Sequence, residues 1–260
     1  MKSFKFIITL ILIISSTSCL KKDRLEIIHE ISGPINTNSY LIYGDYSKEA
    51  AIIDPGWQID TLVNFIIDND LKLKYIFITH GHIDHYYFVP QLEEIFPEAK
   101  WCLHEDDYRD IFTEEEWIIE NYGQEWIDEI SKDSMLLKYL QFDPESLGEP
   151  DIFLEEDMVF KLGTIEIMTL HTPGHSPGGI CFFTEDRLFS GDVLFHKSVG
   201  RIDTQHGSKK DQIESVIRLY ESFPDSMKVY PGHKKYTTIG FEKKENRYVR
   251  PDGGRWIEEK

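Results

Sequence analysis

Thr79-His80-Gly81-His82-Ile83-Asp84-His85 follows directly on the apolar run Tyr75-Ile76-Phe77-Ile78. A short apolar run of this kind reads as a buried β-strand, so three imidazoles and a carboxylate stand together at a strand end. His80 and His82, at i and i+2, project the same way from extended backbone. Asp84 and His85 follow in the turn and are free to face a second centre. Packing has no use for four such groups side by side, because each buried polar group needs a partner. A metal ion partners all of them at once. A lone histidine reads more readily as structural; this cluster reverses that reading.

Around this stretch the pattern alternates between strand and helix. Upstream, Leu25 to Ile31, Ser39 to Tyr43 and Ala50 to Asp54 are short β-runs broken by Gly33-Pro34 and Gly44-Asp45. Asp54-Pro55-Gly56 turns the chain into a helix, with Ile59, Leu62, Val63 and Ile66 on one apolar stripe. Downstream, the pattern predicts one short helix from Tyr86 to Phe96, stopping at Pro97, and a strand from Lys100 to His104. Residues 105–148 then break the rhythm. They are strongly acidic and aromatic, and Trp117, Ile118, Trp126, Ile127 and Ile130 predict two helices. This acidic helical insertion reads either as a solvated pair packing by its tryptophans or as a lid or substrate wall.

Short strands return from Ile152 to Phe189. A helix follows with Ile213, Val216, Ile217 and Tyr220 on one stripe, Ser208 as its N-cap and Pro224 at its end. Met227 to Tyr230 makes a last strand. No repeat at fixed period interrupts this order. Two strand-rich halves, each with helices, predict one α/β domain over residues 24–246, its sheets packed between helical layers, with a tail at 247–260.

Three further ligand-type residues sit at strand ends beside glycine. His175 lies in the turn Thr172-Pro173-Gly174-His175-Ser176-Pro177-Gly178-Gly179 after a strand from Thr164 to Leu170. Asp192 closes Phe189-Ser190-Gly191-Asp192, and His233 closes Tyr230-Pro231-Gly232-His233. At such places the backbone bends and the side chain reaches a shared centre.

The totals bound the partners. The 260 residues carry a formal charge of −18, which argues against nucleic acid and against polyanionic substrates unless a local basic patch recruits them. Lys2 and Lys5, the apolar run Phe6 to Ile14 and Ser15-Ser16-Thr17-Ser18-Cys19 predict an export signal over residues 1–19. It is too short for a permanent span and resembles a bacterial lipoprotein signal with Cys19 as the lipidated residue. The expected product is an exported lipoprotein, held to the membrane by that anchor; an ordinary secretory signal is the alternative. Cys102 and Cys181 each sit in an apolar run and read as small buried residues rather than a disulfide.

The ordered set His80-x-His82-x-Asp84-His85, His175, Asp192 and His233 resembles the metallo-β-lactamase superfamily, and more closely its glyoxalase II-type hydrolases. The wider strings His171-Thr-Pro-Gly-His175-Ser-Pro-Gly, Ser198-Val-Gly-Arg201 and Pro-Gly-His233 to Thr237-Thr-Ile-Gly240 carry the same resemblance over roughly residues 28–246. It implies a four-layer αββα sandwich. It also implies two divalent metal ions, zinc first, with iron or manganese possible on the same donors. His80, His82 and His175 would hold one ion, Asp84, His85 and His233 the other, and Asp192 would bridge them. The implied chemistry is hydrolysis of a thioester or ester-like small molecule by a metal-bound hydroxide, with Asp84 also orienting the nucleophile. Aspartate rather than cysteine at position 192 argues against the zinc β-lactamases that use a thiolate there.

The departures narrow this. Tyr87 and Phe88 stand where the family has a small pair; they read as packing for the helix start, or as rings narrowing the pocket. Lys234 and Lys235 follow His233 where Gly-Pro is frequent, and read as exposed lysines or as partners of a substrate carboxylate. Asn246-Arg247 stands in place of Asn-Pro. Only 27 residues follow His233, so the helical domain with which larger glyoxalase II enzymes grip glutathione has no counterpart. Of the other histidines, His171 is expected to fix the His175 turn, His196 and His206 to support the ligands, and His29 and His104 to be structural. Arg201 and Asp203 are expected to pair. Two other functions fit the same residues: a persulfide dioxygenase with one iron, and a surface lipoprotein that keeps the centre without turnover.

Overall fold

The computed structural model describes residues 21–253, so the predicted export signal with Cys19 and the end of the tail lie outside it. Among the described residues no helix is long and apolar enough to cross a membrane.

Six strands form the first sheet in chain order: β1 (Leu25–Ser32), β2 (Thr37–Gly44), β3 (Glu49–Ile53), β4 (Lys72–Phe77), β5 (Lys100–Leu103) and β6 (Ile152–Phe153). β1 to β3 pair antiparallel, and β3 to β6 run parallel. The second sheet is built from β7 (Val159–Leu162), β8 (Ile165–His171), β9 (Ile180–Phe183), β10 (Arg187–Gly191), β13 (Lys228–Pro231) and β14 (Thr237–Thr238). A separate hairpin, β11 (Leu194–Phe195) with β12 (Ser198–Val199), leaves its end.

Both faces of each sheet are buried, and the strand period of two sorts the residues. In the first sheet Leu41, Ile52 and Ile76 face outward onto α1 (Asp60–Asp68) and α3 (Val89–Ile95), meeting Leu62, Ile66, Val89 and Leu92. Their neighbours Ile42, Ile53 and Phe77 face inward and pack on Leu162, Phe182 and Phe189 of the second sheet. The outer face of that sheet, through Leu170, Leu188 and Val229, packs on Val216 and Leu219 of α8 (Lys209–Ser222) and Ile239 of α9 (Ile239–Glu245). The result is four layers, helix on sheet on sheet on helix. Cys102 lies between the sheets and Cys181 under α8, so the two thiols sit in different cores and are free.

Two expectations are corrected. The helix predicted from Tyr86 to Phe96 begins only at Val89, as α3, and a separate short helix, α2 (Ile83–Tyr86), precedes it. The Phe88 N–H donates to the Pro55 carbonyl at 2.9 Å, and Pro90 in the first turn of α3 has no N–H, so a continuous ladder is impossible. Residues 105–148 hold four α-helices instead of two: α4 (Glu105–Ile111), α5 (Glu114–Tyr122), α6 (Gln124–Ile130) and α7 (Ser134–Leu140). Hydrophobic periodicity found only the pair that carries the tryptophans. The flanking helices are fixed by caps, the His104 ring accepting from Asp106 N–H and the Asp133 carboxylate from Met135 and Leu136 N–H.

Candidate metal centre

All seven sequence-selected residues converge at one edge of the sandwich, each just past a strand. His80, His82, Asp84 and His85 run from the end of β4 into α2, while His175 follows β8, Asp192 follows β10 and His233 follows β13. Close approach there demands glycine. A Cβ on Gly56 would lie 1.5 Å from the Asp84 carbonyl, and one on Gly232 would lie 2.3 Å from Asp192 Oδ1.

Among the described residues the donor atoms form three groups within ion-binding span: His80 with His82 and His175, Asp84 with His85 and His233, and, overlapping both, His80 with His85 and Asp192. Asp192 lies between the first two: Oδ1 is 3.6 Å from His85 Nε2, and Oδ2 is 3.5 Å from both His175 Nε2 and His233 Nε2. Asp84 Oδ2 is 3.2 Å from Nε2 of His85 and of His233. His80 and His175 bring their Nε2 atoms to 3.2 Å.

The rings are aimed from behind. His175 Nδ1 donates to the Arg201 carbonyl at 2.7 Å, His85 Nδ1 faces Asp54 Oδ2 at 3.0 Å, and His80 Nδ1 meets the Thr79 hydroxyl at 3.0 Å. His233 Nδ1 is 3.4 Å from the Asn36 carbonyl. In His80, His175 and His233, where Nδ1 has a hydrogen-bond contact, Nε2 is left to point into the cluster, the arrangement in which histidine binds metal, while His85 Nδ1 lies close to Asp54 without a hydrogen bond. Burial holds the imidazoles of His82 and His175 neutral, to about 3 and about 4. For Asp84 burial works in the opposite sense, but His85 and His233 outweigh it and hold the carboxylate well below its usual range.

These residues fit divalent ions. His85 Nε2 and Asp192 Oδ1 are buried without a hydrogen-bond partner, and two Nε2 lone pairs face each other across 3.2 Å. A protein interior keeps such atoms only where something else satisfies them.

The supporting residues were not all legible. Asp54 accepts from the Thr79 N–H and hydroxyl at 2.8 Å each, and Thr37 donates to Asp84 Oδ2 at 2.6 Å. Asp107, on the first helix of the insertion, accepts from Gly81 N–H at 2.9 Å, Ser176 Oγ at 2.7 Å and Gly178 N–H, so it ties the His80–His82 turn to the His175 turn. The available signal for Asp54 was its place at the end of an apolar strand before Pro-Gly, the signature already used for Asp192. Nothing in the sequence marked Asp107.

Other residues sort as follows. His171 Nε2 bonds the Pro177 carbonyl at 2.9 Å and so fixes the His175 turn, as expected. His196 and His206 do not support the ligands: His196 stacks on Phe241, and His206 pairs with Asp110 at 2.9 Å in an exposed position. Arg201 pairs with Asp203 at 2.8 Å and also donates to the Tyr122 hydroxyl at 2.6 Å, which holds α5 against the loop behind His175. Tyr87 packs, stacked on Trp57 and edge-on to Tyr139, and Phe88 is buried in the core.

Comparison with known proteins agrees with this geometry. The sequence profile of the metallo-β-lactamase superfamily matches residues 32–233. The chain is 33% identical to the hydroxyacylglutathione hydrolase GloC of Haemophilus influenzae over 222 residues, covering 82% of this chain and 92% of that protein. Among solved structures it is similar to the B3 metallo-β-lactamase BLEG-1, at a TM-score of 0.66 and 31% identity over 85% of this chain and 98% of that one. It is similar also to TTHA1623 in a di-iron-bound form, at a TM-score of 0.65 and 29% identity over 84% of this chain and 98% of that one. The chain therefore belongs to the metallo-β-lactamase superfamily, whose members bind metal ions and are for the most part metallohydrolases.

Proposed function

We propose that this protein is a binuclear metallohydrolase that cleaves a thioester or ester-like bond in a small molecule. The observation that carries this reading is the pair of donor groups joined through Asp192, with His85 Nε2 and Asp192 Oδ1 buried and unpartnered. Bound divalent ions would supply a water acidic enough to ionise near neutral pH and a Lewis acid for the carbonyl oxygen. The chain itself does the positioning. Asp84, its Oδ2 fixed by Thr37, stands where it can hold a proton of the attacking water. Zinc is the ion we propose, since histidine and carboxylate donors suit it, and they suit iron as well.

The test is metal content together with turnover of a thioester and ester panel that includes lactoylglutathione. Two equivalents of metal with hydrolysis on any member are expected, and Asp192→Ala should lower occupancy at both positions. Full occupancy of both in that variant would show that Asp192 is not the bridge. A second reading rests on His80, His85 and Asp192, a two-histidine, one-carboxylate set within ion-binding span, of the kind that holds a single iron(II) for oxygen chemistry. On that reading the protein is a persulfide dioxygenase. One equivalent of iron with oxygen uptake on a persulfide would favour it; no uptake by iron-loaded protein would end it. Export and anchoring through Cys19 are proposed on the sequence pattern, with palmitate labelling of wild type against Cys19→Ala as the test.

A further inference from the structure

Beside His233 the sandwich is open along one edge, where β1 of the first sheet faces β13 and β14 of the second. A cavity of about 550 Å³ lies there, floored by Ile27, His29 and Ile31 on one face of β1 and by Tyr230. A second of about 630 Å³ shares Tyr230, Lys235 and Tyr236 with it and continues over Lys228 and Phe241. Together they make one trough, with Ile31 57% and Tyr236 72% exposed at its lips.

This trough is the exception to the acidity of the chain. Among the described residues, Lys228, Lys234 and Lys235 have no ion pair with any carboxylate, although the chain carries 46 Asp and Glu. Lys197 stands nearby, its Nζ 5.5 Å over Phe241, but it is paired with Glu245 at 3.9 Å. The ammonium groups of Lys234, Lys235 and Lys197 all bear on His196, which burial and these charges hold below its ordinary value. Lys234 occupies a left-handed backbone position, φ +67°, which a lysine adopts only at a cost. The turn is held there by Asn38, whose side-chain amide donates to the Pro231 and Lys234 carbonyls at 2.8 Å each.

The trough also reaches the metal centre. Asn36, on its wall, places its carbonyl at 3.4 Å from His233 Nδ1, and Lys234 Nζ sits 5.4 Å over Phe195, whose ring stands edge-on to His233 at 5.9 Å. A substrate with its reacting carbonyl at Asp84 and His233 can therefore lay a long arm along β13. Unpaired lysines call for several negative charges, and the exposed Tyr236 ring with Tyr230 behind it calls for an aromatic group.

We propose that the trough is the binding site for the thiol arm of the substrate, an arm that ends in a phosphorylated aromatic nucleotide. The inference rests on the thioester reading above and names its substrate class. In the reaction water adds its oxygen to the acyl carbon, the carbon–sulfur bond breaks, and the sulfur leaves as thiol with a proton from that water, giving a carboxylic acid and the free nucleotide-bearing thiol.

Two measurements on the metal-loaded, full-length protein test it. The first is calorimetric titration with adenosine 3′,5′-bisphosphate, which has no sulfur to reach a metal. Saturable binding is expected, weakened about tenfold or more by Lys234→Glu with Lys235→Glu and preserved by Lys234→Arg with Lys235→Arg. The second is kcat/KM for acetyl-coenzyme A relative to S-acetyl-N-acetylcysteamine. The ratio should exceed about ten in the wild type, fall towards one in the double Glu variant and be kept by the double Arg variant. No saturable bisphosphate binding, or equal use of the two thioesters by the wild type, would overturn the proposal while leaving the hydrolase reading intact. Bisphosphate binding that depends on the lysines, in a protein that hydrolyses no thioester of the panel, would end the thioester reading and with it the assignment of the trough to a thiol arm.

Discussion

Asp54 shows how little of a metal centre lies in its ligands. The residue sits in the left-handed region, φ +54°, which aspartate tolerates better than most side chains. From there its carboxylate takes the Thr79 N–H and hydroxyl and faces His85 Nδ1. Asp54→Asn keeps the backbone and an acceptor for Thr79, but its amide N–H₂ would oppose the His85 Nδ1–H. We expect metal affinity to fall about 10–100-fold with a small loss of stability. Asp54→Ala should cost the same affinity and about 1–3 kcal/mol of stability besides, because the buried Thr79 N–H loses its partner. Zinc titration against a chromophoric chelator, paired with thermal melts, separates the two; wild-type affinity in the Asn variant would mean that Asp54 does not orient His85. The ligands themselves were legible because histidines at strand ends beside glycine have few other uses. Asp54 and Asp107 were not, since a buried aspartate is recognised by the N–H groups around it, which come from Gly81 and Gly178 for Asp107 and are distant in the chain.

At the scale of elements, periodicity carried the reading where an element has two faces of different character. α1 and α8 presented clear stripes, and Ser208 caps α8 as its sequence position implied, accepting from Asp211 N–H at 3.3 Å. Elements held by caps and by contacts to distant turns escaped it, α4 and α7 among them. The same kind of contact ties the two sheets together at the β2–β3 and β7–β8 turns. Asp23 accepts from Tyr46 and Ser47 N–H in the β2–β3 turn and from Thr164 N–H in the β7–β8 turn, at 3.1, 2.6 and 2.9 Å. Burial alone would raise its carboxyl, but the donors from Ser47, Thr164 and Tyr46 outweigh it and leave the value below the ordinary one. A carboxylate depressed in the folded state stabilises it above the unfolded value and loses that contribution as pH falls through the folded one. Asp23→Asn should thus be less stable than wild type by about 1–3 kcal/mol at pH 7. The gap should begin to narrow as the pH falls below about 4 and go on narrowing through the lower folded value. Urea melts at pH 7 and pH 3 test this, and an unchanged gap would show that the charge on Asp23 plays no part.

For the whole molecule, the ligands are divided between its halves. His80, His82, Asp84 and His85 belong to the first sheet, and His175, Asp192 and His233 to the second, so each donor group spans both. An ion in either group is a clamp between sheets that otherwise meet through the apolar layer of Phe77, Phe182 and Phe189. Without ions, lone pairs and carboxylates are left facing one another in a buried space, a cost that binding removes. Because ions bind the folded chain and not the unfolded one, free metal at about 100 times Kd should add about 2.7 kcal/mol per site. For a domain of this size that corresponds to a fall in Tm of about 5–10 °C per ion on exhaustive chelation. Scanning calorimetry of metal-loaded, chelated and reloaded protein is the measurement, with Tm rising with free zinc on reloading. His82→Ala should lose much of this rise while differing little from wild type once both are metal-free. A Tm indifferent to chelation in the wild type would mean that the seven residues do not hold ions across the two sheets.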